Sequence, residues 1–162
     1  MLAARGSKGA LIYVPVSFDS LMRPSLRSMY EAMFSALPTG RRAELAAAVY
    51  DVPRDPAFTG LKQARAFLDT WFSVVDLGIA DPGFEVEKLP PEVATSVTLN
   101  LPDGDAYVRM STLRRFAERL THYKQRRIWP GVSNIRRRAE LEATVRLRIP
   151  FLTGPGVCTP VP

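Results

Sequence analysis

The sequence predicts an α/β fold assembled from βαβ units, with a mostly parallel sheet. Short apolar runs rich in β-branched and aromatic residues alternate with stretches of helical period along the whole chain. Pro and Gly punctuate most of the joins, and no internal repeat, heptad pattern or low-complexity linker interrupts the alternation. The length of 162 residues, with 46% hydrophobic and 23% charged residues, suits one globular domain over 1–162.

Ala10 to Val16 (ALIYVPV) reads as a buried strand, and residues 1–9 before it as a flexible N-terminus. Pro24 and Ser25 open a helix that places Leu26, Met29, Tyr30, Met33, Phe34 and Leu37 on one face, and Pro38-Thr39-Gly40 ends it. Glu44 to Val52 is rich in alanine, yet Val49-Tyr50 ahead of Pro53 favours a strand. A helix from Thr59 to Thr70 shows Leu61, Ala64, Phe67 and Leu68 on one side. A strand from Phe72 to Leu77 then breaks at Gly78.

Ser96 to Leu101 is a strand, entered through Pro90-Pro91 and left through Pro102-Asp103-Gly104. The next helix covers Met110 to Lys124, with Ser111 or Thr112 near its start and a stripe of Leu113, Phe116, Ala117, Leu120 and Tyr123. A short strand at Arg127 to Trp129, a helix from Asn134 to Leu147 and a strand at Phe151-Leu152 complete the pattern. Residues 154–162 read as an irregular tail. Right-handed crossovers between these strands allow an open doubly wound sheet or an arc of a barrel.

Cys158 is the single cysteine, which excludes an intrachain disulfide and a multi-cysteine zinc site. No apolar run reaches the ~18 residues needed to span a bilayer, and Ala10 to Val16 is too short for a signal sequence. A cytoplasmic location is the expectation. The net charge of +6 and pI of about 9.9 could attract an anion. No basic stripe is interleaved with exposed aromatics, so nucleic acid is not an expected partner.

Several segments, taken in order, resemble the EAL domain family, whose members hydrolyse cyclic di-GMP. Ile12-Tyr13-Val14-Pro15-Val16-Ser17 is similar to that family's strand "hydrophobic-x-Val-Asn-hydrophobic-Ser", and Glu44 to Asp51 stands where the family has a "Glu-x-Thr-Glu" strand end. Val74-Val75-Asp76-Leu77-Gly78 resembles "Leu-Asp-Asp-Phe-Gly". Lys88-Leu89-Pro90 with Val97-Thr98-Leu99-Asn100 resembles "Leu-Pro … Leu-Lys-Ile-Asp". Ile128-Trp129-Pro130-Gly131-Val132-Ser133 resembles "Ile-Ala-Glu-Gly-Val-Glu", and Thr153-Gly154-Pro155 with Pro160 resembles "Gln-Gly-Tyr … Pro".

The resemblance implies a partial (β/α) barrel of about six mostly parallel strands, since a complete barrel takes about 250 residues. The matched region runs from the family's second inner strand onwards, so an N-terminally truncated EAL domain is expected; the Glu-Ala-Leu strand is missing. Family activity needs hard oxygen ligands for a divalent metal at the strand ends and a group to handle a water proton. The matching positions here are Pro15, Ala48, Asp51, Val75, Asp76, Thr98, Asn100, Pro130, Ser133 and Thr153. By this match a ligand Asn becomes Pro15, a strand-end Glu becomes Ala48, the first paired Asp becomes Val75 and a Lys becomes Thr98. The following Asp becomes Asn100, a Glu becomes Pro130 and a Gln becomes Thr153.

The resemblance thus implies a pseudo-enzyme with no metal and no cofactor: an inactive EAL-like regulatory or interaction domain in bacterial signalling. The alternatives are a receptor that binds cyclic di-GMP without hydrolysing it, or a residual metal-dependent phosphodiesterase around Asp51 and Asp76. An open barrel exposes an edge strand, so a protein partner or self-association is expected. His122 reads as a surface histidine without a catalytic partner, and Asp103-Gly104-Asp105 as a turn rather than a calcium loop. Arg126, Arg127, Arg136, Arg137 and Arg138 read as a solvated face, or as contacts for a phosphate or an acidic partner.

Overall fold

The computed structural model describes residues 11–37 and 39–158. Six strands, β1 (Ile12–Ser17), β2 (Leu45–Val52), β3 (Val74–Ile79), β4 (Ser96–Asn100), β5 (Trp129–Ser133) and β6 (Phe151–Leu152), form one parallel sheet in the order of the chain. Six α-helices accompany them: α1 (Phe18–Met22), α2 (Pro24–Ser35), α3 (Phe58–Leu68), α4 (Ala106–Ala117), α5 (Leu120–Arg126) and α6 (Arg138–Arg146). Sequential parallel order with crossovers of one hand keeps the helices on one face of the sheet. Among the described residues the sheet does not close, because β1 and β6 each have one neighbour. It is an arc of a (β/α) barrel, as the family resemblance implies, and not the doubly wound sheet that the pattern alone also allowed.

The core lies between the sheet and the helices. Val16, Val49, Val75, Leu77, Val97, Leu99 and Val132 point outward against Leu21, Phe34, Leu61, Leu68, Leu113 and Phe116. Phe34 is its aromatic hub, 4.9 Å from the Phe72 ring and 5.4 Å from those of Tyr30 and Trp71. The helical stripe expected on α2 is narrower than its period suggests. Met29 and Met33 lie exposed, because α2 flanks the β1 edge and packs on one side only.

Several boundaries differ from the sequence reading. Gly78 lies inside β3 rather than ending it; a Cβ there would come within 3.2 Å of Val49 O, so glycine lets β2 approach closely. The strand predicted at Arg127 to Trp129 is displaced to Trp129–Ser133 and carries Pro130. Trp129 N donates to Thr95 O on the β4 side, so alternation turns the Pro130 nitrogen towards β6. β6 begins only opposite Gly131, hence no ladder bond is lost there.

The helix expected over Met110 to Lys124 is two helices. The first begins at Ala106, capped by Asp105, whose Oδ1 accepts from Val108 N at 2.9 Å. In place of the expected turn, Asp103-Gly104 form a bend that leads into the capping Asp105, with Asp103 paired to Arg136 at 2.7 Å. The helix expected from Asn134 starts at Arg138, since Asn134 has a left-handed φ of 62°. The short helix α1 and the 3₁₀ turns at Thr39–Glu44 and Val86–Lys88 were not anticipated. The expected flexible segment 1–9 lies outside the described residues. The tail is a docked turn as far as Cys158, with Gly156 N donating to Ile135 O at 2.8 Å.

Candidate functional site

Alternation in parallel strands sends every second side chain to the concave face, and the register fixes which share a layer. Pro15, Ala48, Asp76, Ser96 and Trp129 form one layer. Gly78, Thr98, Gly131 and Phe151 form the next towards the strand C-termini, and Asn100 and Ser133 the one beyond. A cavity of about 550 Å³ opens at this end, where barrel folds place their sites.

Seven of the ten positions carried by the resemblance line this cavity: Ala48, Asp51, Asp76, Thr98, Asn100, Ser133 and Thr153. Three do not. Pro15 sits on the concave layer beside Ala48 but outside the cavity, while Val75 is packed in the core. Pro130 pairs with buried Val97 and shares its helix-facing side, so Ser133 represents that segment in the cavity. Tyr13, Tyr50, Ser96 and Phe151 also line it, and the sequence reading missed them. Period-two counting back from Thr98 or on from Ala48 would have found Ser96 and Tyr50.

Asp76 is the polar centre of this face. It is 8% exposed and accepts from Ser96 Oγ at 2.6 Å and from Thr98 Oγ1 at 2.9 Å, both on Oδ1. Burial raises its carboxyl above the ordinary value, and the two hydroxyls pull only partly the other way. The Tyr13 hydroxyl is likewise raised, by partial burial of a side chain that stays 44% exposed and then by the charge of Asp76. Asp51 stands at the rim, exposed, with φ of 59°, where β2 bulges between Val49 and Val52. The two acids therefore occupy different depths, Asp76 in mid-strand and Asp51 near the end of β2, rather than two adjacent strand ends.

A raised carboxyl makes a signed prediction. Folding below the unfolded value near 3.8 gains from the bound proton, and that gain is lost as pH rises through the raised value. Asp76→Asn is therefore expected to raise Tm at pH 7 by about 2–4 °C, the change that roughly 1 kcal/mol produces in a domain of this size. The advantage shrinks below about pH 4, which calorimetric scans across pH will read. A variant less stable than the parent at pH 7 would contradict the assignment.

The donor set does not fit a divalent metal of the kind the resemblance implies. Such an ion takes about six oxygens, several of them anionic. Asp51 and Asp76 are the carboxylates among the cavity residues, with Pro15, Ala48, Gly78 and Gly131 on the concave layers around them. Among the described residues no three His, Cys, Asp or Glu converge. No described Lys, Arg or His lines the cavity either, so the formal charge of its described lining is negative while the chain as a whole is basic. His122 is half-buried on α5, away from it.

No protein-family profile matches the sequence, and no curated protein matches it significantly. Solved structures do match the fold. The FimX EAL domain from Pseudomonas aeruginosa bound to c-di-GMP superposes with a TM-score of 0.58 at 15% identity, over 90% of this chain and 60% of that one. The PaMucR phosphodiesterase in its c-di-GMP complex gives 0.64 at 14% identity, over 94% and 62%. The Vibrio cholerae LapD S helix-GGDEF-EAL structure gives 0.58 at 11% identity, over 89% and 36%. The chain therefore carries an EAL-like fold and spans less than two thirds of these neighbours.

Proposed function

We propose that this chain is a non-catalytic EAL-like domain that acts in bacterial signalling through protein contacts rather than by hydrolysing cyclic di-GMP. The observation that carries the reading is the charge and donor content of the cavity: two carboxylates at different depths, neutral hydroxyl and amide groups, and no cation among the described residues. Without a metal to bridge it, a phosphodiester meets negative charge there, and no water is activated. Among the described residues no strand pairs with the outer edge of β1 or β6, and Tyr13, Tyr50, Trp129 and Phe151 lie exposed on the concave side, which supports self-association or a protein partner. No helix among the described residues is long and apolar enough to cross a membrane; a cytoplasmic setting belongs to the proposal.

One observation favours a second reading. Tyr13, Tyr50 and Phe151 offer flat apolar surfaces in the cavity, on which a purine could stack. Cyclic di-GMP brings two phosphates as well, and these find no cationic partner. Titration calorimetry with cyclic di-GMP, with and without Mg²⁺ or Mn²⁺, together with chromatography of the nucleotide, separates the cases. We expect neither heat nor turnover. Micromolar binding without turnover would establish a receptor, and metal-dependent loss of the dinucleotide would overturn the non-catalytic reading. Light scattering over a concentration series will show whether a second copy covers the open face.

A further inference from the structure

A second cavity, of about 490 Å³, lies at the N-terminal ends of β4 and β5, the opposite end of the sheet from the cavity described above. Arg65 on α3 and Arg126 and Arg127 at the end of α5 line it together with Thr95 and Gln125, and the one carboxylate in the lining is Glu92. The lining thus carries more positive than negative groups, and an anion bound there would offset their mutual repulsion. Asp69 compensates Arg65 in part: its Oδ1 is 2.8 Å from Arg65 Nε, yet off the hydrogen-bond direction, so that buried N–H has no acceptor.

The other two arginines are placed by backbone. The Arg126 guanidinium donates to Leu89 O, which holds the side chain against the loop before β4. Arg127 follows α5 with a left-handed φ of 55°, and its N–H donates to Lys124 O at 3.1 Å. Glycine is the residue that usually holds this position without cost, whereas the chain carries here an arginine whose side chain makes no hydrogen bond or ion pair with the described residues. Thr95 Oγ1 accepts from Val75 N at 3.3 Å and from Arg65 Nη1 at 3.5 Å, which leaves its own O–H as a donor.

We propose that this cavity binds a phosphorylated small molecule of nucleotide size, its phosphate oxygens held by Arg126 and Arg127 with Arg65 behind them. Planar guanidinium groups match phosphate in a bidentate fork, and the volume falls in the range of small-ligand sites. The two cavities thus differ in sign: the acidic one faces the strand C-termini, and the basic one lies at the other end. The proposal is independent of the reading of the acidic cavity, because Arg127 does not touch it.

Titration calorimetry of the full chain with inorganic pyrophosphate at about physiological salt tests the proposal. Binding is expected, weakened about tenfold by Arg127→Gln, the loss of roughly one charge-assisted hydrogen bond. Lys124→Gln, one turn earlier on the same helix and outside the cavity, is expected to stay within about twofold of the parent. Absence of binding would overturn the proposal, as would equal weakening by the two variants, which would mark a generally basic surface. Far-ultraviolet circular dichroism of each variant keeps folding separate from binding.

Discussion

Arg109→Met and Glu140→Gln are each expected to lower the unfolding free energy by about 3–5 kcal/mol, the cost of leaving one member of a buried ion pair alone. Both side chains are 1% exposed, and their fork is bidentate, with Nε to Oε1 at 2.6 Å and Nη2 to Oε2 at 2.8 Å. Nη1 also donates to Pro102 O and Nη2 to Asn134 O, each at 2.6 Å, while Glu140 Oε2 accepts the backbone N–H groups of Arg136 and Arg137. One guanidinium thus ties the loop after β4 to the loop after β5 and to the start of α6. Those loops leave the sheet at Asn100 and Ser133, the strand ends that line the cavity, so the same change is expected to loosen the cavity before the sheet melts.

The pH dependence of that loss has a definite sign. Arg109 first, and then the amides of Arg136 and Arg137, hold the Glu140 carboxyl down at about 2, against the opposing effect of burial. A lowered carboxyl stabilises the fold above its unfolded value near 4.5, and that share is lost as pH falls towards 2. The gap between parent and Glu140→Gln in urea unfolding should therefore be full at pH 7 and narrow through pH 4 to 3. A gap that is constant with pH, or single-variant costs below about 1 kcal/mol, would show that the pair is not what fixes the rim. The double variant Arg109→Met/Glu140→Gln is expected to recover part of the loss, because it leaves no buried charge unpaired.

This lock was not legible in the sequence, where arginines on helical stretches read as solvent-facing. Burial of Arg109 depends on Glu140 meeting it across 31 positions, which no local period encodes. The strands were legible for the opposite reason. Val49, Val75, Val97 and Val132 sit in short apolar runs whose own composition favours a pleated, buried surface. Where a run contained a breaker, the reading stopped too early, as at Gly78 and Pro130. Whether a strand tolerates such a residue is decided by the neighbouring strand. The cavity was reached through family-like segments, yet those segments alone did not say which residue of Val75-Asp76 or Trp129-Pro130 faces inward. Register settles that, by pairing Ala48 with Asp76 and Val97 with Pro130.

Gly154→Ala is expected to cost about 3 kcal/mol, and to act locally, by releasing the chain after β6 from the sheet edge. Gly154 has φ of 135°, where a side chain is strained. A Cβ would collide with the backbone N and O of Ile135 and stand 3.0 Å from the Asn134 carbonyl carbon. Those are main-chain atoms, which no rotamer change moves aside. The contact they make is the one that docks the end of the sheet: Ile135 N donates to Thr153 O at 3.0 Å, Thr153 N to Val132 O at 3.0 Å, and Gly156 N to Ile135 O at 2.8 Å. β6 has two residues, so little else holds Phe151 and Thr153 against the cavity. Hydrogen exchange should rise at Thr153, Ile135 and Gly156 while amides of β2 and β3 keep their protection. Uniform loss of protection over the whole sheet would instead mean that β6 and the turn after it are integral to the cooperative core, and that the arc of strands cannot present its open edge without unfolding.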